Sequence, residues 1–424
     1  MKVFKFGGAS VKDAAAVRNV SHVLSLYPND QLIVVISAMG KTTNAMESIV
    51  EALLKKDEKT YMELVEQTIQ FHLNIVGELF PEPHFTIYQE LEKWADGLKK
   101  RFDSPISDNP NFEYDQIVSL GEVISTKIVE AFLKEEGHAT YWADARKLIR
   151  TNHQYREGEV DWNKTEALIK EQLLPEFKLK RIAITQGFIG HTSEGFTTTL
   201  GREGSDFSAG ILAYCADAED VTIWKDVPGM LNADPKWFDN TVKLDKISFK
   251  EAIELAYYGA TVIHPKTIKP LQNKNIPLLV KSFIDPNAAG TIIQDSIAFD
   301  HLVPSFIFKM DQVLMSFTPK DFSFIVEENL GEIFQLLAKN GVKINLMQNS
   351  ALSFSILFDR SKIDPIQLVE LFKDQYEIRY NEGLELVTIR HYDQATIDRV
   401  NVNKDILVEQ RTRQTIRMVM KDLS

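Results

Sequence analysis

The chain has 424 residues, 44% hydrophobic and 25% charged, which excludes wholesale disorder and predicts two or three domains, each able to bury its own core. Its 48 Lys and Arg against 60 Asp and Glu give a net charge of −12, so general nucleic-acid binding is disfavoured, while a local basic pocket for a small phosphorylated ligand is not. One cysteine, Cys215, excludes an intrachain disulfide or a cysteine zinc cluster, and no run reaches the ~20 apolar residues of a membrane helix or forms a signal peptide, so a cytoplasmic protein with no membrane partner is expected.

In chain order, a short strand over 3–6 runs into Gly7-Gly8-Ala9-Ser10 and a helix over 13–26. The all-apolar stretch 32–36 reads as a strand buried on both faces, and it too ends in a small-residue loop, Ser37-Ala38-Met39-Gly40, before a helix. Strand, small-residue loop and helix, repeated, predict a mostly parallel α/β sheet. Residues 44–135 read as mostly helical, punctuated by Pro81, Pro83, Pro105 and Pro110. Strands are predicted over 181–185, 221–224 and 276–283. After Pro304 the order becomes strand 312–317, helix 330–339, strands 343–347 and 353–358, helix 365–373 and strand 376–380. That βαββαβ order is the ferredoxin-like α+β unit. A strand over 384–390 and a hairpin over 405–420 follow.

Four motifs carry chemistry. Lys5 at a strand end before Gly7 and Gly8 suits a phosphate approached by backbone N–H groups and neutralised by an ammonium, although a glycine turn beside a solvated lysine gives the same pattern. Gly201-Arg202-Glu203-Gly204-Ser205-Asp206 opens a helix, where Ser205 or Asp206 can cap and Arg202 can grip a carboxylate or phosphate with both prongs. Trp224-Lys225-Asp226-Val227-Pro228-Gly229, with Lys236 beyond, reads as a ligand loop at a strand's carboxyl end or as plain turn chemistry. Leu120-Gly121-Glu122 is read as the opening of a helix, so Glu122 is either dipole-favoured or a buried receptor for an ammonium. Gly40-Lys41-Thr42 is a decoy. A P-loop needs glycine where Val35 stands, and no G-x-G-x-x-G is present. No histidine spacing suits a metal, and none is predicted to be bound by protein ligands.

Together and in order, these segments resemble the aspartate kinases of the amino acid kinase superfamily. The matching stretches are 5–10, 37–44, 119–126, 185–190, 198–209, 224–235 and 254–267 (ELAYYGATVIHPKT), and the C-terminal part resembles the ACT regulatory region of that family. The resemblance implies a three-layer α/β/α kinase domain with a mostly parallel central sheet over 1–300, an ACT domain over 305–382 and a truncated second ACT-like segment over 383–424. It implies transfer of a phosphoryl group from ATP to the β-carboxylate of L-aspartate. By resemblance Lys5 stabilises the transition state and Asp206 orients it. Ser37, Thr43, Glu122, Arg202 and Ser205 hold aspartate, with Glu122 on the ammonium and Arg202 on the α-carboxylate. Lys5, Gly7, Gly8, Lys225, Asp226 and Lys236 hold ATP, and Mg²⁺ is held mainly through the ATP phosphates. A homodimer through the ACT region and an amino-acid effector near Asn345 and Asn349 complete the expectation.

Several features depart from the family pattern. Glu203 stands where many relatives have glycine and is expected to point away or pair with a cation. Thr261 replaces a lysine that helps bind ATP in many microbial relatives, and Lys225 is expected to restore that charge. Asn345 matches an aspartate that meets the lysine ammonium in lysine-sensitive relatives, which argues against ordinary lysine feedback. The second ACT module is expected to lack its helices. The competing readings are a catalytically silent amino-acid sensor and a kinase acting on a glutamate-type substrate. No dinucleotide fingerprint follows residue 300, so a fused dehydrogenase is not expected.

Overall fold

The computed structural model describes residues 1–80, 82, 86–179, 182–260, 263–321 and 323–423. Pro81, Pro83, Arg181, Thr261 and Val262, all used in the sequence reading, lie outside the described residues. The chain divides into two compact units. The first holds residues 1–230, 243–253 and 261–299, and the second holds 231–242, 254–260 and 300–424.

In the first unit the strands are β1 (Lys2–Phe6), β2 (Leu32–Ile36), β3 (Thr140–Ala143), β4 (Ile182–Gln186), β5 (Ile189–His191), β6 (Thr197–Thr199), β7 (Asp220–Lys225), β8 (Lys246–Ser248), β9 (Leu278–Ser282) and β10 (Thr291–Gln294). Eight of them form one sheet in the order β3-β4-β2-β1-β7-β9-β10-β8, parallel except for the antiparallel pair β9–β10. β5 and β6 form a separate hairpin. On one face, Phe4, Phe6, Val34, Ile36, Ile184 and Trp224 share a core with five helices, Ala14–Ser25, Thr42–Leu54, Glu58–Leu79, Thr86–Arg101 and Pro110–Glu135. Helix Gly204–Cys215 packs on β1, β2 and β7, with Pro265–Lys274 against it. Every residue of β2 is buried, as its continuous apolar run requires of a central strand covered on both sides.

In the second unit β11 (Ser305–Pro319), β12 (Ile344–Asn349), β13 (Phe354–Asp359), β14 (Tyr376–Arg390), β15 (Lys404–Arg411) and β16 (Thr415–Asp422) form an antiparallel sheet in the order β12-β13-β11-β14-β16-β15. Helices Glu327–Lys339 and Pro365–Phe372 complete the βαββαβ order and share a core with Val313, Phe317, Phe354 and Phe358. The strands read over 312–317, 376–380 and 384–390 are pieces of two longer ones. β11 and β14 pair end to end through a register shift between Lys309 and Leu314, where Asp311 has φ 52° and Gly383 φ 68°. These bulge residues look like turn residues in sequence and so hide the continuity. The tail also carries a helix that the sequence reading missed, Gln394–Val400, started by an Asp393–Thr396 capping box. Its Ile397 and Val400 pack with Phe306, Val387, Ile389 and Met418.

The sequence expectation of one domain over 1–300 needs a correction. Residues 231–242 and 254–260 belong with the second unit by packing, because Phe238 stacks on Phe306 at 4.3 Å between ring centroids and Arg399 lies 3.9 Å over Phe238. Glu254 adds an ion pair with Arg390 at 3.8 Å.

Candidate active site

Lys5 ends β1 one residue before its last position, and strand register sets it beside Val35 of β2 and Ile223 of β7. Fully buried Trp224, 6.0 Å from Phe6 and near-parallel to it, fixes the end of β7 and so the start of the loop that carries Lys225 and Asp226. The Lys5 Nζ lies 2.7 Å from Asp206 Oδ1, and the Lys225 Nζ lies 3.8 Å from Asp206 Oδ2. Lys5 and Asp206 are both buried, and Asp206 sits in the first turn of helix Gly204–Cys215, where the N–H groups favour an anion. Neither Ser205 nor Asp206 caps that helix. Its N-cap is Glu203, in the left-handed region at φ 52° and without a side-chain cap bond.

Gly8 lets the loops after β1 and β2 meet backbone to backbone. A Cβ there would lie 2.8 Å from the Gly40 carbonyl oxygen and 2.9 Å from that of Ala38. Gly40 N–H donates to the Gly8 carbonyl oxygen at 3.0 Å. Gly187 does the same for the helix start, since a Cβ there would come within 2.5 Å of the Ser205 Cβ.

These loops enclose a cavity of about 950 Å³. It brings together Lys5, Gly8, Ser37, Thr43, Glu122, Arg202, Ser205, Asp206 and Lys225. Gly7 stands beside it, with its Cβ position 3.3 Å from the Lys5 Nζ. Asp226 is exposed in the turn after β7. Lys236 is exposed in the second unit, with its N–H on Asp234 Oδ1 at 2.9 Å. Asn345 and Asn349 also lie in the second unit, on β12.

Glu122 corrects the sequence reading of its place. It lies mid-way along helix Pro110–Glu135, not in a first turn, so no helix dipole accounts for it. It is 2% exposed and its Oε2 has no hydrogen-bond partner. Burial pushes its carboxyl up to about 8, opposed by backbone hydrogen bonding at Glu122 and Ala38. A lone buried carboxylate facing a cavity is the complement of an ammonium. Glu203 does not point away, because it lines the cavity, and its Oε2 is buried without a hydrogen bond.

The sequence reading missed Glu47, Tyr114, Arg156 and Phe188, which also line the cavity. Phe188 lies within the matching stretch 185–190, whereas Glu47, Tyr114 and Arg156 lie in none. Among the described residues no group of three or more His, Cys, Asp or Glu side chains is placed to hold a metal.

A model of the amino acid kinase family matches residues 1–282. The lysine-sensitive aspartokinase 3 of Escherichia coli (strain K12) is 32% identical over 358 residues, covering 84% of this chain and 78% of the relative. The chain belongs to the aspartokinases of the amino acid kinase family. The crystal structure of E. coli aspartokinase III with lysine and aspartate superposes with a TM-score of 0.85 at 28% identity, over 100% of this chain and 96% of that one. The same aspartokinase with aspartate and ADP gives 0.80 at 28% identity, over 99% and 96%. The aspartokinase fold thus spans both units, including residues 300–424 of the second unit, which the family model does not reach. Among the described residues no helix is long and apolar enough to cross a membrane.

Proposed function

We propose that the cavity transfers the γ-phosphoryl group of ATP to the β-carboxylate of L-aspartate, giving 4-phospho-L-aspartate and ADP. The observation that carries this is the meeting, in one cavity, of the buried Lys5–Asp206 pair with Arg202 and with Glu122, whose buried Oε2 has no hydrogen-bond partner.

The acceptor carboxylate, with a pKa of about 3.9, is already ionised at neutral pH and needs no general base. The work left to the protein is holding two anions in line and neutralising charge on the phosphoryl group. Lys5 supplies that charge from a fixed position, because Asp206 and the strand end hold it. Lys225 adds a second cation 3.8 Å from Asp206, and backbone N–H groups of Gly7 and Gly8 and of the helix start face the phosphates. Glu122 takes the substrate ammonium, Arg202 its α-carboxylate, and Ser37, Thr43 and Ser205 add hydroxyl contacts. Asp226 serves the nucleotide. Mg²⁺ is carried on the ATP phosphates.

The second unit is read as the regulatory and dimer-forming part of a cytoplasmic homodimer. Its Asn345 is engaged within the chain. Lys309 Nζ donates to Asn345 Oδ1 at 2.7 Å, and Asn345 Nδ2 donates to Gln312 Oε1 at 2.8 Å and Asp359 Oδ1 at 3.2 Å. With an amide where a carboxylate would meet lysine, and that amide taken, added lysine is expected to leave activity unchanged. A silent sensor would have no use for the Lys5–Asp206 pair. A coupled ADP-release assay with aspartate, glutamate and N-acetylglutamate separates the readings: aspartate alone should give turnover.

A further inference from the structure

The loop 152–157 has no motif, yet it supplies a second arginine to the cavity wall. Arg156 has φ 70°, a left-handed conformation that arginine seldom adopts. Its surroundings hold it there. The Arg156 N–H donates to Asp115 Oδ2 at 2.9 Å. Asp115 is fully buried and also accepts from the Thr199 N–H at 2.9 Å and the Thr199 hydroxyl at 2.7 Å. The Arg156 guanidinium carbon lies 4.0 Å from the Tyr114 ring centroid, and the Tyr114 hydroxyl donates to Glu47 Oε1 at 2.7 Å. A Cβ on Gly201 would lie 3.4 Å from the Arg156 carbonyl oxygen, so the loop runs against the residue next to Arg202.

A backbone held in a seldom-used conformation by a buried carboxylate, with a stacked guanidinium on a cavity wall, is the pattern of a pre-organised binding group. We propose that Arg156 is a specificity-determining residue for the acceptor, pairing with its α-carboxylate alongside Arg202. This rests on the aspartate-kinase reading above. The Lys5–Asp206 pair marks the end where phosphoryl transfer occurs, so the β-carboxylate must face it. Glu122 takes the ammonium. The α-carboxylate is left for the guanidinium groups of Arg202 and Arg156, and its two oxygens have lone pairs enough for both. The guanidinium carbon lies over the Tyr114 ring, and the five N–H donors of the group can serve a carboxylate in the cavity.

Arg156→Gly is the sharpest variant, because glycine accepts the left-handed backbone without strain and only the guanidinium is lost. In steady-state kinetics of the full chain, Arg156→Gly should raise the aspartate KM about tenfold or more, with the ATP KM within about twofold and the Tm not lowered. Arg156→Lys should recover part of the loss. Preference for aspartate over its α-carboxamide, which keeps the β-carboxylate, should shrink by the same factor in Arg156→Gly. An active wild-type enzyme whose aspartate KM and preference are unchanged by Arg156→Gly overturns this proposal alone. A wild-type chain that releases no ADP with aspartate overturns it together with the reading it rests on.

Discussion

Lys5 and Asp206 compensate each other at 2.7 Å, whereas Glu122, as deeply buried, forms no ion pair among the described residues. Its carboxyl, raised to about 8, is neutral in the free enzyme at pH 7, so receiving an ammonium requires it to lose a proton. The aspartate KM should therefore fall as pH rises from 6 toward 8, by up to about tenfold per unit, and level off above. Glu122→Gln should abolish that slope, which KM–pH profiles of both proteins would read. By the same sign, burial of this raised group favours the folded state most below the ordinary carboxylate pKa and is progressively lost up to pH 8. Lys5→Ala should lower kcat by about 10²–10³-fold, and it should also lower the Tm because it takes the closest cation from buried Asp206. Glu203→Gly removes a left-handed non-glycine residue and a buried unpaired carboxylate oxygen, so it should gain about 1 kcal/mol in denaturant unfolding and lower the ATP KM. Lys5, Arg202 and Asp206 were legible in the sequence because each lies within a short glycine-rich run whose chemistry is local. Arg156 was not, because its anchor, Asp115, is 41 residues away and is itself tied to Thr199 across 84 residues. Only folding creates that environment.

At the level of elements, the alternation of apolar strands with small-residue loops carried the parallel sheet, and the all-buried β2 is the strand the sequence described best. Boundaries were lost where one element interrupts itself. The bulge at Asp311 and Gly383 split β11 and β14 into apparent fragments, and the short helix Gln394–Val400 has too few turns for a 3.6-residue period to show. Glu122 was misplaced for a related reason. Helix Pro110–Glu135 begins with Pro110 after an Asn109 cap, and its polar first turns look like a loop. In the second unit, fully buried Phe317 of β11 sits edge-on to Phe372 at 5.0 Å and to Tyr376 at 6.1 Å. Phe317→Ala should cost about 3–5 kcal/mol, read as a lowered urea midpoint for the unfolding of this unit.

Over the whole molecule, 424 residues divide into a unit that holds the cavity and a unit built on an antiparallel sheet, and the −12 charge coexists with a cavity that gathers Lys5, Arg156, Arg202 and Lys225. The sequence pointed to this organisation through the change of rhythm near Pro304. It did not reveal that 231–242 and 254–260 pack with the second unit, because partners such as Phe306 for Phe238 and Arg390 for Glu254 lie far downstream in the chain. Sedimentation should give a dimer at micromolar concentration, and a monomer there would refute dimer formation through the second unit. The central claim is phosphoryl transfer to aspartate. Its most direct test is incubation of the purified chain with ATP, Mg²⁺ and L-aspartate, trapping the acyl phosphate with hydroxylamine while ADP is counted. Aspartyl hydroxamate and ADP formed one to one with aspartate, absent with glutamate and lost in Lys5→Ala, is the predicted result. No ADP with aspartate, or equal turnover with glutamate, would contradict it.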